Sequence, residues 1–119
     1  MGHHTFEIEL TGEKFECRTT FDAICLFEDR AGVSISEAWQ DLAEGKMKFK
    51  HIATAVWAAI NGERKIEGMK PLIYETIGQK VQEHGFMQCA LYASTFFANS
   101  LPSSDKSKED DGNQKKSSE

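Results

Sequence analysis

The chain has 119 residues, 39% of them hydrophobic and 28% charged, which is room for one domain with one core and too little for a second catalytic domain. Lys and Arg number 14 against 19 Asp and Glu, a net charge of -5, so no cationic surplus exists to neutralise phosphates and nucleic acid is not an expected partner. No apolar run approaches the ~20 residues of a bilayer span and no basic segment leads into an apolar stretch, so no membrane association or secretion is expected.

In chain order, residues 1–5 read as a flexible N-terminus. From Phe6 the pattern alternates, with Phe6, Ile8 and Leu10 on one face and Glu7 and Glu9 on the other, the period of a half-buried strand. A turn over Thr11-Gly12-Glu13-Lys14 follows. Phe15, Cys17 and Thr19 then alternate with Glu16 and Arg18, so the second run can pair antiparallel with the first and put its apolar side on the same face. A lone hairpin is marginal in water, so helices must cover it.

Thr20 can cap a first helix from Phe21 to a stop at Gly32, with Phe21, Ile24, Cys25, Phe27 and Ala31 as its apolar stripe. Ser34 or Ser36 opens a second helix ending by Gly45, with Ser34-Ile35-Ser36-Glu37 at the spacing of a capping box and Ala38, Trp39 and Leu42 on one face. A third is expected from Phe49 to Asn61, with Phe49, Ile52, Ala53, Val56, Trp57 and Ile60 inside and Gly62 closing it. Pro71 suits the first turn of a fourth, running to Gly85 through Leu72, Ile73, Ile77 and Val81. The last, Phe86 to Asn99, sets Phe86, Met87, Ala90, Leu91, Ser94, Phe97 and Ala98 in a stripe. A helix so poor in charge is buried or binding.

After Leu101 the composition turns to Ser, Lys, Asp and Glu without apolar side chains, which predicts a disordered polar tail over 102–119. The fold class is therefore α+β: an N-terminal β-hairpin, about five helices and a tail, with a single domain over 6–101.

Signatures of catalysis are missing. There is no phosphate-cradling glycine loop, no H-E-x-x-H and no G-x-S-x-G. Cys17, Cys25 and Cys89 lack a C-x-x-C unit and read as reduced, core-packing thiols of a cytoplasmic protein. His51 and His84 lie near helix ends and read as capping or surface residues. Glu28-Asp29-Arg30 reads as a solvated helix end, since neighbours on a helix point ~100° apart. No cofactor, no metal site and no enzymatic activity are expected. What remains is apolar surface: rings on opposite sides of the last helix, such as Tyr92 and Phe96 against Leu91 and Phe97, cannot all face one core. Candidate partner-binding residues are Trp57, Tyr92, Phe96 and Phe97.

The order of segments carries a resemblance. FEIELTGEKFECRTTFDAICLFEDRAG contains an F-x-A-x-x-x-x-E-x-x-x-G pattern at Phe21, Ala23, Glu28 and Gly32. A short helix ending in Glu44-Gly45, the Ala-rich ATAVWAAI, PLIYETIGQKVQEHGF and an apolar last helix follow it. Over about residues 6–101 this resembles the tail assembly chaperones of long-tailed phages and gene transfer agents, specifically the gene-transfer-agent type. The Lys-rich stretch from Lys46 to Lys50 and the polar tail depart from that pattern. The resemblance implies a non-enzymatic protein of the bacterial host cytoplasm that coats the tape measure protein, recruits tail tube subunits and is absent from the mature particle, with self-association along the client. The competing expectation is a structural tail component, such as a tube or completion protein, retained in the particle. A helix-turn-helix regulator fits poorly, because the third helix has an Ala- and Trp-rich body without a base-reading set.

Overall fold

In the computed structural model, which describes residues 5–101, strands β1 (Thr5–Leu10) and β2 (Glu13–Arg18) form an antiparallel hairpin, followed by helices α1 (Phe21–Ala31), α2 (Ile35–Ala43), α3 (Phe49–Ile66), α4 (Tyr74–His84) and α5 (Phe86–Ser100). The architecture is α+β: one two-stranded sheet and five helices. The tail expected over 102–119 and the N-terminal residues 1–4 lie outside the described residues, while Thr5 belongs to β1 and pairs with Arg18.

The alternation of the strands determines the hairpin's faces. Phe6 pairs with Cys17 and Ile8 with Phe15, so the apolar residues of both strands share one side, and Ile8, Leu10 and Cys17 are buried there. The loop is only Thr11-Gly12, both at positive φ (51° and 87°), as the twist-matched two-residue turn requires. Glu13 and Lys14 are thus strand residues and not turn residues. A β-branched residue is strained in this region; Thr11 is tied down by its hydroxyl, which donates to Leu10 O at 2.6 Å, and its backbone N–H, which donates to His84 Nδ1 at 3.0 Å.

The Thr20 hydroxyl accepts from Ala23 N at 3.0 Å to start α1, and Gly32 ends it in the left-handed region. Its buried stripe is Ala23, Phe27 and Ala31, rotated from the expected one; Phe21 is 81% exposed. The rotation follows from the docking of α1 on α3, where Ala23 meets Gly62. α2 begins with Ser34 accepting from Glu37 N at 3.0 Å. The neighbouring donor, Ile35 N, is taken at 2.9 Å by Glu28 of α1, so Glu28 links two helices and is not merely solvated.

α3 is the axis of the fold, with β2, α1, α4 and α5 all packed on it. Every residue from His51 to Glu63 except Trp57 is buried, and small side chains at Ala53, Ala55, Ala58 and Ala59 let the neighbours approach. Gly62 does not close this helix, which runs on to Ile66. Its role is close approach: a β-carbon there would lie 2.5 Å from Arg18 O and 2.9 Å from Ala23 Cβ. Phe49, expected inside, is 62% exposed at the first turn, its ring stacked on that of Phe86.

α4 starts at Tyr74 rather than at Pro71. The reason is Asn61, whose carboxamide accepts from Leu72 N at 2.8 Å and donates to Leu72 O at 3.2 Å. Trp57 Nε1 donates to the same carbonyl at 2.9 Å. With both its backbone groups committed to α3 side chains, Leu72 cannot enter a helix. Gly85, at φ 117°, breaks the chain between α4 and α5. The core of α5 is Cys89, Ala93, Phe96 and Phe97, with Phe27 packed against both phenylalanine rings at centroid distances of 6.1 and 5.3 Å. Among the described residues, no helix is long and apolar enough to cross a membrane.

Candidate functional site

Trp57, Asn61 and Lys65 succeed one another every fourth residue along α3 and so share a face. Asp22 and Leu26 do the same on α1. Between these two rows, closed at one side by Gly68, Met69 and Pro71, lies an open groove of about 680 Å³. Its walls are mostly apolar: the Trp57 ring, Leu26, Met69 and Pro71. The two charges at its rim satisfy each other, with Lys65 Nζ 3.0 Å from Asp22 Oδ1. The chain neighbours of that pair, Phe21 and Ile66, are 81% and 60% exposed, and Met69 is 46% exposed. Of these exposed apolar side chains, Met69 lines the depression itself.

The Trp57 wall is rigid. Its indole N–H holds Leu72 O, its ring meets Tyr74 edge-on at 5.4 Å, and Arg30 lies 4.0 Å over the Tyr74 ring and 5.8 Å from that of Trp57. Arg30 also reaches Glu75 at 3.2 Å, and the Tyr74 hydroxyl is 3.1 Å from that of Thr54. A preformed wall spares a binding partner the ordering cost of that side chain.

The second apolar surface is the outward side of α5. Met87 and Leu91 are 86% and 70% exposed, and Ala98 is exposed on the same side. The sequence reading puts Met87, Leu91 and Ala98 in one stripe with Phe97 on a helix either buried or binding; the helix is turned so that Cys89, Ala93, Phe96 and Phe97 point inward and the other three outward.

Of the four predicted contact residues, only Trp57 lines the groove. Phe96 and Phe97 are corrected: both are fully buried, because Phe27 and Trp39 close over them, the Trp39 ring standing edge-on to Phe97 at 6.1 Å. They cannot meet a partner in this fold. Tyr92 is half-buried and faces the hairpin, its hydroxyl accepting from Glu9 N at 3.3 Å and donating to Glu9 O at 3.2 Å. The four do not form one surface. Sequence reasoning missed Leu26 and Met69 in the groove and Met87 and Leu91 on α5. The four-residue spacing of Asp22 and Leu26 against that of Trp57, Asn61 and Lys65 was a usable signal; Met69 had none, since it stands in a connection.

The titratable groups are in structural surroundings. Burial, with the nearby Glu16 and Glu63 carboxylates, drives the Cys17 thiol far above its usual range, and burial pushes Cys89 up to about 11; both favour the unreactive thiol. Cys25 is half-buried. His51 is corrected from a surface or capping residue to a buried one, 4% exposed, its ring 6.4 Å from that of Phe27. Burial, and then Lys48 and Lys50, depress its pKa. Glu63 is held below the usual carboxylate range by hydrogen bonds from Glu67 and from Arg18, whose Nε is 2.7 Å away; Glu67 is raised in turn by sharing that contact. Among the described residues, no group of three or more His, Cys, Asp or Glu is placed to hold a metal ion.

Comparison with known protein families, with curated proteins and with solved structures gives no match at any of the three levels.

Proposed function

We propose that this protein is a non-enzymatic tail assembly chaperone of a phage, a prophage or a gene transfer agent, acting on the tape measure protein in the cytoplasm of the bacterial host. The observation that supports this reading best is the groove between α1 and α3, with the fixed Trp57 ring as one wall and Leu26, Pro71 and the exposed Met69 completing an apolar lining. A tape measure protein is expected to be a long helical client whose apolar stripe is exposed until tube subunits enclose it. Capture of one turn of such a stripe in an apolar groove is the helix-in-groove mode, in which apolar anchors at i, i+3 and i+4 supply the affinity. The net charge of -5 keeps the complex soluble and favours basic segments of the client. Many copies along one extended client gain from multivalency, so each contact can be weak. Recruitment of the tail tube protein and release before the particle is complete belong to the same proposal.

The test is co-expression with the tape measure protein encoded nearby, scoring soluble client and co-purification. Met69→Glu places a charge on the groove wall and Phe21→Glu a second one next to Asp22 of its rim, both at exposed positions outside the core. Loss of soluble client with this double variant, while it remains folded, supports the proposal. An unchanged yield of soluble client with or without the protein, together with its presence in purified particles, would overturn the proposal in favour of a structural tail component.

A further inference from the structure

The outward side of α5 has a register of its own. Met87, Leu91, Ser94 and Ala98 follow at steps of four, three and four residues, the spacing of a helix–helix seam, while Leu101 lies past the end of the helix and outside it. Met87 and Leu91 are 86% and 70% exposed and Ala98 is exposed as well, so this seam is unfilled within the chain. From Phe86 to Ser100 the helix has no Asp, Glu, Lys, Arg or His. A solvent-facing helix without one charge is unusual for a protein surface.

We propose that this face pairs with the same face of a second copy of the chain, the two α5 helices antiparallel about a two-fold axis passing between Leu91 and Ser94. Three observations select that occupant. The first is size order: the seam is large in its N-terminal half, with Met87 and Leu91, and small in its C-terminal half, with Ser94 and Ala98. Antiparallel pairing puts Met87 against Ala98 of the other copy and Leu91 against its Ser94, so every large side chain meets a small one. Parallel pairing would set large on large and small on small, with crowding at one end and a void at the other. The second is charge: copies that each carry -5 repel one another, and contact through an uncharged helix keeps carboxylates out of the seam. The third is self-complementarity, the condition a two-fold interface imposes, met here within one helix. The seam from Met87 to Ala98 is only ~17 Å long at 1.5 Å per residue. Its area falls at or below the ~1,200 Å² that marks the low end of specific interfaces, so the dimer is weak and depends on concentration. It gives the self-association expected from the sequence a defined face, and it does not depend on what occupies the groove.

Sedimentation velocity of the full chain over a range of concentrations tests this. The wild type should shift from monomer to dimer as concentration rises. Leu91→Lys should weaken the dimer at least about tenfold, since it puts an unpaired charge beside the axis, with helical circular dichroism unchanged because the site is exposed. Met87→Ala and Ala98→Met should each weaken it, while the two together restore it, because large and small have exchanged places across the axis. A wild type that stays monomeric overturns the proposal. So does a dimer indifferent to Leu91→Lys, or a failure of the paired exchange to restore association. Phe21→Glu with Met69→Glu should leave the dimer intact, so failure of the groove reading and failure of this one are separately visible.

Discussion

α3 and α5 both have long apolar stretches and have opposite fates. α3 is enclosed by a strand and three helices, and between His51 and Glu63 only Trp57 reaches the surface. α5 is packed along one side and leaves Met87, Leu91 and Ala98 in solvent. The difference is one of neighbours and not of composition. Between His51 and Glu63 an apolar residue of α3 contributes to stability on almost any side of the helix, whereas on α5 that holds only for one side. The other side is apolar beyond the needs of the core, and it is this excess that the proposed pairing of two α5 helices would use.

That contrast can be broken first where it is strongest. Phe97→Ala, in the ring cluster with Phe27 and Trp39, should cost about 3–5 kcal/mol of unfolding free energy by leaving a cavity; urea unfolding measures it. Gly62→Val should follow, at about 1–3 kcal/mol or more, because the added carbon meets Arg18 O and Ala23 Cβ; the melting midpoint reads it. Next is Trp57→Phe, which keeps the wall but removes the hydrogen bond to Leu72 O, for about 1 kcal/mol. Its signature should be faster amide exchange at Leu72 and the residues beside it.

Smaller again is the contribution of His51. Its folded pKa lies below the ordinary value of 6.5, so the unfolded chain binds the extra proton more readily. The stability it contributes is complete above that value and is lost as pH falls from there toward the folded pKa. Melting temperatures of the wild type should therefore drop more between neutral and mildly acid pH than those of His51→Leu. Last, Leu91→Gln should change stability by less than about 0.5 kcal/mol, six-fold or more below Phe97→Ala although six residues away on the same helix.

Legibility in the sequence divides along the same line. The hairpin was readable because a two-residue period fixes both the strand and its face, and Thr20, Ser34, Gly32 and Gly85 marked helix ends by local chemistry. Where the answer depended on a neighbour, the sequence misled. Gly62 has the composition of a stop, yet its meaning is the approach of Arg18 and Ala23. Pro71 favours a helix start, but Asn61 and Trp57, ten and fourteen residues earlier, hold Leu72 extended. Phe21 and Phe27 are equally apolar, and only the docking of α1 on α3 decides which is buried. Of the groove, the sequence reading picks out only Trp57; the four-residue spacing on α1 and α3 is there to be read, but which two rows face each other depends on how the helices dock. Phe96 and Phe97 were misplaced for the converse reason: rings on two sides of a helix can both be internal when α1, α2 and α3 surround that end.

The clasp of Tyr92 on Glu9 has a wider consequence. A sheet of two strands is all edge, and an open edge invites pairing with any extended chain. Glu9 sits opposite Lys14, and its N–H and C=O face away from β2, where a third strand would dock; the phenolic hydroxyl binds both. One oxygen atom therefore occupies the position of an incoming strand near the turn end of β1. A protein proposed to accompany an aggregation-prone client has particular need of such a block, since an unguarded edge would let it join the aggregate it is meant to prevent.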